Sequence, residues 1–438
     1  MTRAMVSGDI ALDDLHDSLS DPLLDAMTFL NEVTQRYPNA ISFAPGRPYE
    51  GLFEPESIHD HLAAYTEYLV RDKGFGPDRV RTALFQYGRT NGEIHELIAR
   101  TLVNDEGLRV PPESVVVTVG AQEGMLLVLR ALFARPTDVL LVSSPCYVGI
   151  TGAARLLDIA IEPVPEGPHG LDPATVAHAA ESVRAGGRRP AALYVVPDFA
   201  NPSGASMAVH HRRRLLEIAA EQDLLVIEDN PYGFFTRDDT VRPTLKSLDT
   251  DRTVIYLGSF AKTCFPGARL GYVLADQEVA GPEGERSLLA DQLAKVKSMT
   301  TVNTPSLSQA VIGGMMVRSG CRLREANQDT IRFYRNNMDL LLAELERYFP
   351  PARRAELGVH WNSPGGGFFV VVTVPFAADE AALATSAGEY GVLWTPMSPF
   401  YLDGEGGRHQ LRLSCSYVEP DVLTEGVARL AAFIDDMA

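Results

Sequence analysis

Chemistry that needs a primary amine has few candidates in this chain. Of 39 lysine and arginine residues only five are lysine: Lys73, Lys246, Lys262, Lys295 and Lys297. Lys262 has a distinctive setting, with Ser259 just before it and Arg269 after it in Gly-Ser-Phe-Ala-Lys-Thr-Cys-Phe-Pro-Gly-Ala-Arg (258–269). Other polar groups stand at comparable places upstream. Asp229 and Tyr232 follow one apolar run, Asn201 lies in Asp198-Phe199-Ala200-Asn201-Pro202, and Tyr147 follows Pro145-Cys146. Asn201 precedes Asp229 by 28 residues and Asp229 precedes Lys262 by 33, each about one strand–helix–strand unit. Further upstream, Gly120-Ala121-Gln122-Glu123-Gly124 opens the helical text MLLVLRALF. Free backbone N–H groups and the positive end of a helix dipole suit that turn to an anion.

These residues need a scaffold that delivers them to one place. SVVVTV (114–119), VLLVS (139–143), ALYVVP (192–197), LLVIED (224–229) and TVIYLGS (253–259) are near-continuous apolar runs, as expected of strands buried on both faces. Helical text such as RRRLLEIAAEQD (212–223) lies between them. The alternation predicts an α/β fold whose large domain is a mostly parallel sheet flanked by helices. Ligands of such sheets bind beyond the carboxyl ends of the strands, where the polar residues above fall. Beyond a helical stretch at 321–348, GGFFVVVTVP (366–375), a helix near 378–389 and HQLRLSCS (409–416) predict a smaller α+β C-terminal domain. Asp21-Pro22 predicts the start of a helix through LLDAMTFLNEVTQRY in an N-terminal arm. The expected division is an arm at 1–45, a large domain at 46–315 and a small domain at 316–438.

An amine that forms an imine, a carboxylate, a phenol, an amide, a stacking aromatic and a phosphate-binding helix together meet the needs of pyridoxal phosphate. The amine condenses with the aldehyde, and a carboxylate keeps the pyridine nitrogen protonated so that the ring accepts electrons. The motifs resemble those of fold type I pyridoxal-phosphate-dependent aminotransferases (class I/II), most closely the aminoadipate/kynurenine-type branch. The resemblance runs from ISFAPG (41–46) to LRLSCS (411–416). It implies that Lys262 is the Schiff-base lysine and then the base that moves the proton. Asp229 would pair with the pyridine nitrogen, and Asn201 and Tyr232 with the ring oxygen. Tyr147 would stack on the ring, and Ala121, Gln122, Ser259 and Arg269 would hold the phosphate. Arg412 would fork onto the substrate α-carboxylate, with Gly46, Arg47 and Asn201 on the substrate side. Tyr87 resembles the family tyrosine that reaches the partner subunit's phosphate, which implies a homodimer with shared sites.

The pattern departs from the family at Pro45-Gly46-Arg47, Glu93-Ile94-His95-Glu96, Pro396-Met397 and Cys146. Three of these four places lie on the substrate side. The cofactor side keeps the pattern and Arg412 would grip the carboxylate, so the expected reaction is transfer of an amino group between an α-amino acid and a 2-oxo acid. The alternative is β/γ-replacement or carbon–carbon bond formation in a biosynthetic pathway.

With 57 aspartate and glutamate residues the net charge is −18, which disfavours nucleic acid and anionic membrane as partners. Four widely spaced cysteines argue against a disulfide framework or a zinc knot. Neither a signal peptide nor an apolar run of about 18 residues is visible, so the expected location is the cytoplasm. His95 reads as a structural histidine, and His210-His211-Arg212-Arg213-Arg214 as a solvated helix face with no metal site.

Overall fold

The five apolar runs become strands of one eight-stranded sheet. In the computed structural model, which describes residues 10–24, 32, 34–167, 169–403 and 405–438, the spatial order begins with Val115–Thr118, Gly271–Leu274, Val254–Ser259 and Leu225–Asp229. It continues with Arg189–Val195, Asp138–Ser144, Ala160–Gly167 and Gly170–Leu171. The strands from Val254–Ser259 to Ala160–Gly167 pair in parallel. Gly271–Leu274 runs antiparallel to both its neighbours.

Burial on both faces explains why these strands read as unbroken apolar text. Leu140, Val142, Ala192, Tyr194 and Ile227 pack into one core. Their alternates Val139, Leu141, Leu193, Val195 and Val226 pack into another, as the two-residue period of a strand requires. Helices Gly120–Leu132, Val148–Leu156 and Leu289–Thr300 cover the first face. Pro173–Ala185 and Val209–Glu221 cover the second.

Three strands of this sheet lie outside the five expected runs, the two-residue Gly170–Leu171 among them. Ala160–Gly167 carries Pro163 and Pro165, which weaken the strand signal but suit an edge. It is bonded along its length to Asp138–Ser144 and on its other side only at Glu166 and Gly167. Gly271–Leu274 has four residues and follows directly on the lysine motif.

A third core lies between a four-stranded antiparallel sheet and two helices. The sheet order is His360–Trp361, Phe369–Thr373, Gln410–Ser414, Thr395–Pro396. Gln328–Tyr348 and Pro420–Met437 pack on it through Met338, Leu341, Leu430 and Phe433. Phe43 and Ala44 belong to this core, and Ile41–Ser42 pairs in parallel with Val392–Leu393. Of the helix expected through 23–37, residues 25–31 and 33 lie outside the described residues, while 22–24 and 34–36 are helical. No helix among the described residues is long and apolar enough to cross a membrane.

One expectation is corrected. Arg212 is not on a solvated face: it is fully buried. It forks onto Asp198 at 2.9 and 2.6 Å and donates to the carbonyls of Pro197, Met207 and Pro243. A charge run hides such a residue, because helical rotation turns one arginine inward while its neighbours stay in water. Removing one partner strands the other charge in low dielectric. Arg212→Met is expected to lower the unfolding free energy by about 3–5 kcal/mol, measured by denaturant titration. Asp198→Asn added to it should recover part of the loss.

Candidate active site

The carboxyl ends of the parallel strands open into a cavity of about 300 Å³, at the small end of ligand pockets. Strand Leu225–Asp229 ends in Asp229, Val254–Ser259 ends in Ser259, and the short helix Phe260–Thr263 carries Lys262. Ser259 caps that helix by accepting from the Ala261 N–H at 3.2 Å, which sets the direction in which Lys262 leaves the backbone. Asn201, Tyr232, Tyr147, Gln122 and Ala121 also line the cavity, as do Arg269, Arg412, Gly46 and Arg47. Tyr87 does not: it stands 83% exposed on the surface of the chain.

The partners of the five lysines separate one from the rest. Lys246 is buried between Asp249 and Asp276, and Lys297 is buried against Glu123. Lys73 pairs with Glu96, and exposed Lys295 donates to Gln292. Lys262 Nζ donates instead to the Gly46 carbonyl at 2.7 Å. Burial lowers its pKa to about 8, with Arg269 and Arg412 adding to the shift and Asp229 opposing it. The amine is thus partly neutral near physiological pH, as a nucleophile or base must be.

Asp229 has the opposite bias. Burial raises its pKa to about 6, against the hydrogen bond from Tyr194 and the charge of Lys262. Tyr194 donates to Oδ2 at 2.7 Å, whereas Oδ1 is buried with no partner among the described residues. A buried carboxylate oxygen left unpaired signals a missing donor. Tyr232 is buried beside it, and burial pushes its phenol well up. Tyr147 stands just before the helix Val148–Leu156, and burial pushes its phenol up to about 12.

At the other end of the cavity, Gly120 opens the helix Gly120–Leu132 with φ of +74°. A Cβ there would lie 2.7 Å from Arg269 Nη2, so the glycine lets the guanidinium settle over the first helical turn. Arg269 itself is held in a left-handed conformation, φ 49° and ψ 51°. The first-turn N–H groups lack intrahelical acceptors. With the Ser259 hydroxyl and Arg269 they form a donor set matched to a phosphate.

Arg412 projects from Gln410–Ser414, flanked in register by Val371 and Thr395. Its guanidinium donates to the Asn201 side chain, to the Ala44 carbonyl at 2.8 Å and to Thr395 Oγ1 at 3.2 Å. Nε is buried without a partner among the described residues, and the rings of Phe369 and Phe400 lie 4.4 and 5.1 Å from the guanidinium carbon. Arg47 stands at the rim, half exposed, donating to the Tyr417 hydroxyl at 2.6 Å and lying 4.2 Å over that ring. His95 is buried, with Nδ1 2.9 Å from the Gly92 carbonyl, in a structural setting. Cys146 is buried and its N–H donates to the Phe400 carbonyl.

Sequence reasoning missed Tyr194, Thr395 and Phe400. A tyrosine inside ALYVVP looks like core packing, Thr395 lies on the two-residue strand Thr395–Pro396, and Phe400 ends the three-residue 3-10 helix Ser398–Phe400.

Comparison with known proteins agrees with this geometry. Residues 78–430 match the family Aminotransferase class I and II, and the chain belongs to that family. A (S)-3,5-dihydroxyphenylglycine transaminase of Amycolatopsis orientalis is 48% identical, covering 98% of this chain and 95% of that one. A kynurenine aminotransferase of Pyrococcus horikoshii, solved with PMP, superposes with a TM-score of 0.79 at 27% identity, covering 95% and 94% of the two chains. An α-aminoadipate aminotransferase of Thermus thermophilus, solved with N-(5'-phosphopyridoxyl)-L-leucine, gives 0.76 at 28% identity, covering 97% and 99%. This protein is a transferase that moves amino groups between amino acids and oxo acids, and pyridoxal phosphate is its cofactor. The residues fit that group: an amine without an ion pair, an unpaired buried carboxylate oxygen and a phosphate-sized donor set face one cavity.

Two outcomes are expected. Gly120→Ala forces an alanine into the left-handed region at a cost of about 1–2 kcal/mol and displaces Arg269. The thermal midpoint should fall and the cofactor should bind more weakly in dialysis. In cofactor-free protein, modification of Lys262 by an acylating reagent should rise with pH, half-maximal near pH 8, because only the neutral amine reacts. Lys262→Ala serves as the blank. A rise confined to the region of 10.5, the ordinary lysine value, would contradict the burial effect.

Proposed function

We propose that this aminotransferase acts on an arylglycine, an α-amino acid whose α-carbon bears an aromatic ring, and on the matching 2-oxo acid. The observation that carries the reading is the 48% identity, over nearly the whole of both chains, to a transaminase named for such a substrate. The cavity supports it: Arg412 offers a carboxylate fork next to Phe400 and Val148, with Arg47 as a donor at the rim. A flat ring finds apolar contact there, and ring hydroxyls find a donor.

When bound, pyridoxal phosphate supplies an aldehyde that condenses with amines and a ring that accepts electrons from the substrate's α-carbon. The chain's residues do the rest. Ala121, Gln122, Ser259 and Arg269 would hold the phosphate, and Tyr147 would stack on the ring. Asp229 Oδ1 would accept a hydrogen bond from the protonated ring nitrogen and keep it protonated, while Asn201 and Tyr232 would face the ring oxygen. Lys262 would bind the cofactor and then serve as the base for the α-proton, for which a pKa lowered to about 8 suits it. Arg412 holds the carboxylate so that the C–H bond, and not the C–C bond, is the one presented for cleavage.

The arm at 1–45, large domain at 46–315 and small domain at 316–438 form the working unit. A homodimer completes it, with Tyr87 reaching the partner subunit's phosphate. Exposed Phe85, Tyr87 and Leu307, near the Ser306 hydroxyl bond to the Leu84 carbonyl, support such a contact. The acidic balance and four unpaired, buried cysteines support a place in the cytoplasm.

Loaded enzyme mixed with (S)-3,5-dihydroxyphenylglycine and no acceptor should release one arylglyoxylate per subunit and stop. 2-Aminoadipate and kynurenine, given in parallel, should react more slowly by at least about ten-fold. Faster reaction of either would overturn the arylglycine reading, and release of ammonia or a β-substituent in place of the oxo acid would overturn transamination.

A further inference from the structure

Two adjacent carboxylates end strand Leu225–Asp229, and the structure treats them differently. Glu228 points to the face opposite Asp229 and accepts from the backbone N–H groups of Leu245 and Lys246 at 2.8 and 2.7 Å. Its two oxygens are used in holding a helix start. Asp229 has one oxygen taken and one open, and the group that takes the first is Tyr194. Tyr194 lies in Arg189–Val195, opposite Ile227 in the parallel ladder, so Asp229 is the next residue on the same face. The tyrosine is fully buried among Leu140, Val142 and Ile227. Phenylalanine would fill that space equally well, so packing alone does not require the hydroxyl. A buried phenol needs an acceptor, and here it is a carboxylate at the cofactor site.

We propose that Tyr194 is a positioning residue for Asp229: its O–H anchors Oδ2, which keeps the carboxylate ionised and turns Oδ1 toward the ring nitrogen of the cofactor. This rests on the reading that Asp229 faces that nitrogen. The titratable and charged groups around Asp229 are Tyr194 on its own sheet, Cys146 and Tyr147 on the turn at 144–148, Tyr232 beyond the strand, and Lys262. Of these, Tyr194 and Lys262 favour the anion, and Tyr194 does so more strongly. Once Lys262 is bonded to the cofactor its free ammonium is gone, and of the chain's own groups the phenol is then the main support for the anion. A neutral carboxyl there would be a poor acceptor for the ring N–H hydrogen bond, and the ring would more readily give up its proton and its positive charge.

The test is a double-mutant cycle on the full chain with cofactor affinity and absorbance as readouts. Cofactor-free protein, Tyr194→Phe, Asp229→Asn and the double variant are each titrated with pyridoxal phosphate from pH 5 to 9. Tyr194→Phe is expected to weaken binding about ten-fold, the usual loss for one hydrogen bond to a charged group. The pH midpoint of the absorbance change should move upward, while KM for the amino donor stays within about two-fold. In the Asp229→Asn background, Tyr194→Phe should add no further change. The proposal is overturned if Tyr194→Phe leaves affinity and midpoint unchanged, or if the two losses multiply. If Asp229→Asn alone leaves both unchanged, the assignment of Asp229 to the ring nitrogen falls first. Thermal midpoints of the cofactor-free proteins separate either result from a folding defect.

Discussion

A sheet without a solvent face leaves chemistry only its ends. The central strands bury both sets of side chains, one against Gly120–Leu132 and Val148–Leu156, the other against Pro173–Ala185 and Val209–Glu221. Polar groups are costly anywhere along such strands unless paired. They gather where the strands stop, and because the strands are parallel they stop on the same side. Asp229, Ser259 and Lys262 meet there by topology, without any long loop having to fold back.

The second determinant is charge. Lys262, Arg269, Arg412 and Arg47 face the cavity with Asp229 as the opposing carboxylate, inside a chain of net charge −18. Burial holds both buried cations below their ordinary pKa, Arg412 at about 10 and Lys262 at about 8, and for Lys262 the charges of Arg269 and Arg412 add to the shift. A site that discourages its own cations is relieved by small anions, a phosphate at one end and a carboxylate at the other. The acidic outer surface repels polyanions at the same time.

Much of this was legible in the sequence because burial on both faces writes an unmistakable pattern, and because the groups after each run differ in chemistry. Eight residues that follow those runs, from Ala121 to Lys262, line one cavity, and so do Gly46, Arg47, Arg269 and Arg412, which were named with the family resemblance. What was illegible is equally physical. Pro163 and Pro165 disguised an edge strand whose N–H groups need no partner. Arg212 hid in a charge run, since sequence shows a charge but not the buried Asp198 that receives it. Tyr194 hid among apolar neighbours, because its hydroxyl matters through a residue on the next strand. Arg47 had a readable type, but its direction, over the Tyr417 ring, needed coordinates.

The segment before the large sheet ties the two parts of the molecule together at a sensitive point. Phe43 and Ala44 are packed in the smaller core, the Ala44 carbonyl accepts from Arg412, and the neighbouring Gly46 carbonyl accepts from Lys262. An amine bonded to a cofactor has fewer protons to give that carbonyl. The Lys262–Gly46 bond is therefore a strut between the helix after Val254–Ser259 and a segment packed in the smaller core, and on the proposed role of Lys262 it would loosen when the amine is engaged elsewhere.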